Sequence, residues 1–199
     1  MQVAVIGATG KTGRPLVAQL LAAGHAVRAF SHSGNAVEGV DNQPLDGRDG
    51  AAVTAALAGA DAIVSVVGGP LETRPQTIAN LIAAAQAHGI ERLIGVGGAG
   101  ALDGPGGGLM VEQPWFPAGL KPVTEMHRQS IALLEASGLD WTFVCPPIMT
   151  EGDTTGAYAH QADGALFGKL KVRHADVAHL IVRCLDEGLY IGKRVAIGE

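Results

Sequence analysis

VAVIGATGKTGRP, residues 3–15, is the stretch that decides the fold of this chain. It reads as a short apolar strand, a glycine-rich turn and the beginning of an amphipathic helix. Gly7, Gly10 and Gly13 form the pattern G-x-x-G-x-x-G in that turn. Glycines at these positions allow a tight turn, a close approach of the backbone to a ligand, and close packing of the helix on the strand. Because free amides at such a helix start favour a phosphate group, the stretch predicts a dinucleotide site.

The remainder of the chain repeats the same alternation of helix and strand. Five segments read as a helix end, a glycine and a β-rich run, and their glycines are Gly24, Gly59, Gly89, Gly138 and Gly188. Glycine closes helices well because it adopts the left-handed conformation at little cost. Continuous Val/Ile-rich runs after these glycines are typical of parallel strands covered on both faces. The pattern predicts an α/β fold with a Rossmann-like doubly wound parallel sheet, in a single domain spanning residues 1–199.

The composition narrows the class of partner. The 199 residues carry a net charge of −5, and 47% of them are hydrophobic while 17% are charged. An acidic chain is not expected to bind nucleic acid or an anionic membrane surface. No apolar run approaches the roughly 20 residues that a membrane-spanning helix needs. We therefore expect a cytoplasmic protein, a monomer or small homo-oligomer, whose partner is a small-molecule acceptor.

The cysteines and histidines give little support for a disulfide or a metal site. Cys145 and Cys184 are the two cysteines, and no secretory signal precedes the glycine motif, so we expect a reducing compartment and no disulfide. The seven histidines form no H-x-x-x-H pair. We therefore predict no metal site.

Two insertions lengthen the later βα units. Residues 98–120 and residues 146–172 each follow a predicted strand. Since the carboxyl ends of strands carry the ligand site in open α/β sheets, we expect both insertions to cover that edge and form the substrate side. Trp115, Phe116 and Tyr158 lie in these insertions and are candidates to bind a flat substrate. The alternative is that these aromatic residues only seal the core beneath long loops.

The residues after the second predicted strand bear on the choice of dinucleotide. A site for NAD usually places an acidic residue about 20 residues after the glycines, where it holds the ribose hydroxyls. Here the run AVRAF is followed by Ser31, His32 and Ser33, and the first acid is Glu38. We therefore predict that NADP(H) is preferred over NAD(H), with Lys11 or Arg14 from the helix start as a further contact for the 2′-phosphate.

Six segments, GATGKTG, DAIVSVVGG, GVGGAGAL, SGLDWTFVCPP, TGAY and IGKRVAIG, resemble the atypical short-chain dehydrogenase/reductase group. Within it, the full length of the chain is similar to the NmrA-like NAD(P)H-binding proteins, which include biliverdin-IXβ/flavin reductase. In that reductase an arginine usually follows the second strand, and His32 stands there in this chain. Together with the polar residues after the second strand, the resemblance implies a set of cofactor-binding positions: Gly7, Thr9, Gly10, Lys11, Thr12, Gly13, Ser31, His32, Ser33, Asp46, Gly47, Val67, Gly68, Gly69, Gly97, Pro146, Pro147 and Ile148.

The usual catalytic residues of short-chain dehydrogenases are missing from the matching positions. Those enzymes use a serine after the fifth strand and Tyr-x-x-x-Lys on the next helix. By the resemblance, the serine position is Gly97 or Gly98, the tyrosine position is Val123 and the lysine position is His127. Without the tyrosine, alcohol oxidation, epimerisation and dehydration lose their acid–base agent. The candidate catalytic residues are His127 and Lys121; the alternatives are a ribose contact from His127 and a solvated Lys121.

Hydride transfer to a planar conjugated acceptor needs fewer acid–base side chains than alcohol oxidation does. The negative charge spreads over a wide π-system that water can protonate, so the protein mainly orients the two rings and excludes water. The sequence therefore predicts an NAD(P)H-dependent oxidoreductase whose acceptor is a flavin, a quinone or a similar molecule. Two other functions stay open: a non-catalytic NAD(P)(H)-binding redox sensor of the NmrA-like type, and an epimerase/dehydratase-like enzyme.

Overall fold

Ten strands and five α-helices make up the part of the chain that the computed structural model describes, residues 1–35 and 37–199. The strands are β1 (Gln2–Ile6), β2 (Ala26–Ser31), β3 (Asn42–Pro44), β4 (Ala62–Ser65), β5 (Arg92–Val96), β6 (Asp140–Cys145), β7 (Ile148–Thr150), β8 (Ala159–Ala162), β9 (Lys171–Arg173) and β10 (Lys193–Gly198). The helices are α1 (Gly13–Ala22), α2 (Gly50–Leu57), α3 (Thr73–His88), α4 (Lys121–Glu135) and α5 (His174–Asp186).

Eight of the strands form one sheet in the order β3-β2-β1-β4-β5-β6-β10-β8. All neighbours in it are parallel except β10 and β8, which are antiparallel. The connections run outward from β1 to β2 and β3, and then cross to β4 on the other side. A crevice at the carboxyl ends of β1 and β4 follows from this reversal, and such sheets bind ligands there. The predicted doubly wound parallel sheet is confirmed.

Helices cover both faces of the sheet. α1 and α5 pack together on one face, while α2, α3 and α4 pack in series on the other. Alternate residues of β1 enter the two cores: Val3 and Val5 lie in the core beneath α1 and α5, whereas Ala4 and Ile6 lie in the opposite core. This two-sided burial explains why the central strands read as continuous apolar runs.

The five recurring glycines end their helices in the left-handed conformation, as predicted. Their φ angles are +84° for Gly24, +78° for Gly59, +68° for Gly89, +74° for Gly138 and +62° for Gly188. A side chain at such a position would be strained. The glycines therefore fix where each helix stops and the next strand begins.

The two insertions contact each other beside β10. The amide of Asp103 donates to the carbonyl of Asp163 at 2.9 Å, and the amide of Ala165 donates to the carbonyl of Asp103 at 3.0 Å. The first insertion contains three short 3-10 turns, at Ala99–Ala101, Met110–Glu112 and Ala118–Leu120. The second contains β7 and β8, and β7 pairs with β9 in a separate small sheet. None of the helices in the described residues is long and apolar enough to cross a membrane.

Candidate functional site

A cavity of about 460 Å³ lies at the carboxyl ends of β1, β2, β3 and β4, in the crevice where the strand order reverses. Its walls come from the turns that follow these four strands and from the first residues of α3. Ten of the predicted cofactor positions line it: Gly7, Thr9, Gly10, Ser31, His32, Asp46, Gly47, Val67, Gly68 and Gly69. The fold therefore brings these positions, which lie as far apart in sequence as Gly7 and Gly69, around a single cavity.

The glycine turn after β1 is shaped so that only glycine fits. Gly7 has φ +94°, and its amide donates to the carbonyl of Phe30 at 2.8 Å. A Cβ on Gly7 would lie 2.9 Å from the carbonyl oxygen of Val66, and one on Gly13 would overlap the carbonyl oxygen of Gly7. In the described residues, no carbonyl accepts a hydrogen bond from the amides of residues 11–12. The turn thus presents free amides at a helix start, which suits a phosphate group.

Arg48 lies in the wall of the same cavity and was missed by sequence reasoning. Its Nε and one terminal nitrogen donate to the carboxylate of Asp46 at 3.0 Å and 2.7 Å. These hydrogen bonds hold the pKa of Asp46 below its ordinary value. The sequence did contain one signal for it: Arg48 is a cation two residues after Asp46, which was a predicted cofactor ligand. Asp46, expected to contact the cofactor, already has its carboxylate engaged by this side chain.

Thr77 presents an unpartnered hydroxyl at the cavity. The residue is 1% exposed, and its Oγ1 has no hydrogen-bond partner among the residues that the structure describes. Gly47 lies so close that a Cβ there would be 2.6 Å from that Oγ1. A buried hydroxyl without a partner carries a desolvation cost that a polar ligand atom can recover. The orphaned hydroxyl and the glycine turn both fit a nucleotide ligand.

His127 lies in α4, buried and paired with an arginine. Nη1 of Arg74 is 2.6 Å from Nε2 of His127, and the imidazole is packed against Gly98, where a Cβ would be 3.0 Å from a ring carbon. Burial, together with the charge of Arg74, lowers the pKa of His127 to about 4. The imidazole is therefore neutral near pH 7. Sequence reasoning missed Arg74, because nothing in the first turn of α3 distinguishes it from a solvated charge.

Gly97 and Gly98, the two positions predicted to correspond to the dehydrogenase serine, are closely packed by side chains from β6 and α4. A side chain on Gly97 would overlap the ring of Phe143, which lies in β6, and one on Gly98 would press on His127. Val123 is half-buried in the first turn of α4, and Lys121 is exposed as the first residue of that helix. The structure therefore does not bring Lys121 against His127 or into the cofactor cavity.

Several predicted cofactor residues lie outside that cavity. Lys11 forms an exposed ion pair with Glu151 at 2.9 Å, and the hydroxyl of Thr12 is 2.8 Å from Nδ1 of His174. Lys11 and His174 line a second cavity of about 450 Å³ between α1, α5 and the loop after β7. Ser33 is exposed, and its hydroxyl oxygen accepts a hydrogen bond from the backbone amide of Asn35.

The residues after β6 lie at the other end of the crevice. Pro146 is buried, and its carbonyl accepts the amide of Ala99 at 2.9 Å. Pro147 lines an apolar cavity of about 150 Å³, and Ile148 is 71% exposed beside it. This smaller cavity is separate from the one at β1 to β4.

The three aromatic substrate candidates have different surroundings. Trp115, from the first insertion, lines the apolar cavity together with Phe167 from the second insertion. Phe116 instead packs on Gly100, where a Cβ would lie 2.8 Å from its ring. The hydroxyl of Tyr158 is 2.7 Å from Nδ1 of His179 in α5. Of the three, Trp115 is the one that the structure places at a cavity.

Comparison with known proteins gives the family. The model of a family described as NAD(P)H-binding matches residues 7–188. The uncharacterised Bacillus subtilis protein YwnB is 26% identical over 196 residues, which cover 94% of this chain and 92% of YwnB.

Two solved structures are similar over their whole length. A candidate exported protein from Burkholderia pseudomallei is 29% identical, with a TM-score of 0.91 and full coverage of both chains. A candidate NADH-flavin reductase from Streptococcus pneumoniae is 27% identical, with a TM-score of 0.85 and coverage of 100% of this chain and 99% of its own. The predicted resemblance is confirmed: the chain belongs to the NAD(P)H-binding family of Rossmann-fold, oxidoreductase-like proteins.

Proposed function

We propose that this protein is an NAD(P)H-dependent reductase that passes hydride to a planar conjugated acceptor, a flavin or a quinone. The observation that carries the proposal is the apolar, aromatic cavity at the end of the crevice, combined with a neutral, buried His127 in place of a proton donor. The similarity to a candidate NADH-flavin reductase supports the same reading.

The dinucleotide would be held by the residues around the larger cavity. The amides of the glycine turn suit the pyrophosphate, and Ser31 and His32 after β2 suit the adenosine ribose. Thr77 offers its orphaned hydroxyl to a polar atom of the nucleotide. When bound, NAD(P)H supplies a hydride with both of its electrons to a ring atom of the acceptor, and solvent water supplies the proton.

The acceptor would lie against the apolar cavity. Trp115 and Phe167 are 55% and 60% exposed and line the same cavity, so both rings are accessible to a ligand. Buried Cys145 lies behind them, and burial raises the pKa of its thiol to about 12, so it is an inert part of the wall. Such a surface binds a flat ring and excludes water from it.

No strong acid is needed for this chemistry, and His127 is poorly suited to be one. A pKa of about 4 leaves the imidazole uncharged at neutral pH, with Nε2 accepting a hydrogen bond from Arg74. Orientation of the two rings is then the main contribution of the protein.

The proposal includes a preference for NADP(H) over NAD(H). His32 and Arg48 both line the cavity near Ser31, and the cavity's carboxylate, Asp46, is paired with Arg48. The guanidinium of Arg48 and the imidazole of His32 can both donate hydrogen bonds, so such a site suits a 2′-phosphate better than a free ribose hydroxyl.

The test is to mix the protein and NADPH with FMN, FAD, a quinone or biliverdin, and to follow the absorbance of the reduced nicotinamide. Oxidation that depends on both protein and acceptor supports the proposal. Binding of NADPH without oxidation by any acceptor overturns it and favours the redox sensor. Oxidation or dehydration of an alcohol or sugar would instead favour the epimerase/dehydratase-like function.

A further inference from the structure

Arg74 is a partly buried cation without a counter-ion. In residues 1–35 and 37–199, no carboxylate lies within ion-pair distance of its guanidinium. Its Nε is buried without a hydrogen-bond partner, and its Nη1 is 2.6 Å from Nε2 of the neutral His127. Arginine stays protonated even when burial lowers its pKa, as it does here. Within the described part of the chain, Arg74 thus carries a positive charge that no carboxylate neutralises.

This charge lies close to the turns after β4 and β5, where the nicotinamide of a bound dinucleotide would lie. The turns after β2 and β3 suit the adenosine, and the glycine turn after β1 suits the pyrophosphate, so the other half of a bound dinucleotide would extend over β4, β5 and β6. Gly68 follows β4, and a Cβ on it would be 4.0 Å from Nη2 of Arg74. Gly98 follows β5 and is packed against His127. The Arg74–His127 pair spans the floor between these two glycines.

We propose that the unpaired guanidinium of Arg74 makes this site bind the reduced nicotinamide more tightly than the oxidised one. The reduced ring is uncharged, whereas the oxidised ring carries one positive charge. Like charges separated by several Å repel appreciably at the effective dielectric of a protein interior. The pyrophosphate, riboses and adenine are the same in both forms, so their contacts cancel in the ratio of the two affinities.

The expected size of the effect is about tenfold in the ratio of dissociation constants, which is the repulsion of two unit charges roughly 12 Å apart at an effective dielectric constant of about 20. The difference in affinity would favour turnover in one direction. The site would bind NAD(P)H, which delivers the hydride, more tightly than NAD(P)⁺, so the positive charge of Arg74 would favour release of the oxidised product. The inference rests on nicotinamide binding in the proposed function, and it is independent of which acceptor is reduced.

The experiment is to measure the dissociation constants of NADPH and NADP⁺ by isothermal titration, without any acceptor. Wild-type protein is expected to bind NADPH about tenfold more tightly. Arg74→Met removes the charge but keeps the length of the side chain, and is expected to reduce that ratio at least threefold. Arg74→Lys keeps the charge and is expected to retain most of the ratio. The matched control is Arg128→Met, an exposed arginine of α4 paired with Glu125, which is expected to leave the ratio unchanged.

Two results would overturn the inference. The first is wild-type protein that binds NADP⁺ as tightly as NADPH, a measurement that needs no variant to fold. The second is an Arg74→Met protein with the wild-type ratio. Failure of all acceptors to oxidise NADPH would overturn the proposed reductase while leaving the affinity ratio as a separate result.

Discussion

At the scale of single residues, His127 bears most directly on the proposed chemistry. By the resemblance it is at the lysine position of short-chain dehydrogenases, but it is 5% exposed and its pKa is lowered to about 4. At pH 7 only about one imidazole in a thousand would be protonated, so the residue cannot serve as an efficient acid. Its contact with Arg74 instead fixes the ring beneath Gly98.

The variant His127→Ala is expected to lower kcat for flavin or quinone by less than about tenfold, because a positioned general acid would contribute about 10²–10⁴-fold. The wild-type rate is expected to show no steep change between about pH 5.5 and 8.5, since the pKa of His127 lies below that window. Steady-state kinetics of both proteins measure this, with His88→Ala on the exposed side of α3 as control. A hundredfold loss, with a histidine inflection that disappears in the variant, would show that His127 is the acid.

His32 is the residue expected to set the choice of dinucleotide. His32→Asp places a carboxylate beside the 2′-phosphate position and is expected to reverse the preference, so that NAD(H) binds more tightly than NADP(H). His32→Ala removes the imidazole without adding charge and is expected to weaken the preference without reversing it. Titration calorimetry with both dinucleotides measures the effect. Equal or tighter binding of NAD(H) by the unmodified protein would contradict the prediction.

Residues differ in how far the sequence reveals them. The glycine motif could be predicted because it lies between a strand and a helix. In that context each glycine meets a requirement of the backbone, namely a tight turn, close approach to a phosphate or close helix packing. Arg48 has one sequence signal, its place two residues after Asp46, and it stays exposed in the structure. Arg74 could not be predicted, because a cation in a first helical turn is solvated unless the tertiary structure turns it inward. The sequence also could not show that Phe143 closes the space above Gly97, since the two are far apart in the chain.

At the scale of elements, the aromatic side chains of the two insertions differ in what they pack against. Trp115 and Phe167 face the same small cavity from different insertions, whereas Phe116 packs inward on Gly100 beside α4. Backbone hydrogen bonds of Asp103 connect the two insertions near β10. The carboxylate of Asp103 also accepts a hydrogen bond from Arg194 at 2.9 Å. A pocket made jointly by both insertions follows from that connection.

Trp115→Ala is expected to raise the acceptor KM several-fold and leave NADPH affinity nearly unchanged, because the indole lies away from the dinucleotide cavity. Phe116→Ala is the matched comparison: we expect it to act mainly on stability, lowering it by about 1–3 kcal/mol, less than a fully buried phenylalanine would. Steady-state kinetics and thermal unfolding of both variants separate the two effects. Wild-type KM in both proteins would mean that these rings only cover the core.

Elements with a repeating pattern were predictable, and short ones were not. Helix ends at Gly59 or Gly138 follow from the cost of a left-handed backbone, and the buried strands follow from their continuous apolar runs. β7, β8 and β9 have three or four residues each and little apolar periodicity. Their pairing depends on neighbours distant in sequence, which no local pattern contains.

At the scale of the whole molecule, the dinucleotide would join turns from both halves of the sheet, and binding to the folded state alone stabilises it. At a hundred times its dissociation constant, NADPH is expected to add about 2.7 kcal/mol to the free energy of unfolding. For a domain of this size that corresponds to a rise in Tm of roughly 5–10 °C. Differential scanning calorimetry measures the shift, and NADH at equal concentration is expected to give a smaller one. No shift with either dinucleotide would contradict binding in this crevice.

Among the described residues β8 pairs only with β10, and β10 is the last strand there. While the ribosome is still making the protein, residues 159–162 have no strand to join until residue 198 has emerged. β6 likewise waits for its outer neighbour, although β5 pairs with it early. The sheet therefore closes in a late step, and the nascent chain exposes an open edge at β6 for about fifty residues of synthesis. During that interval, chaperones that recognise unpaired strand edges can bind the nascent chain.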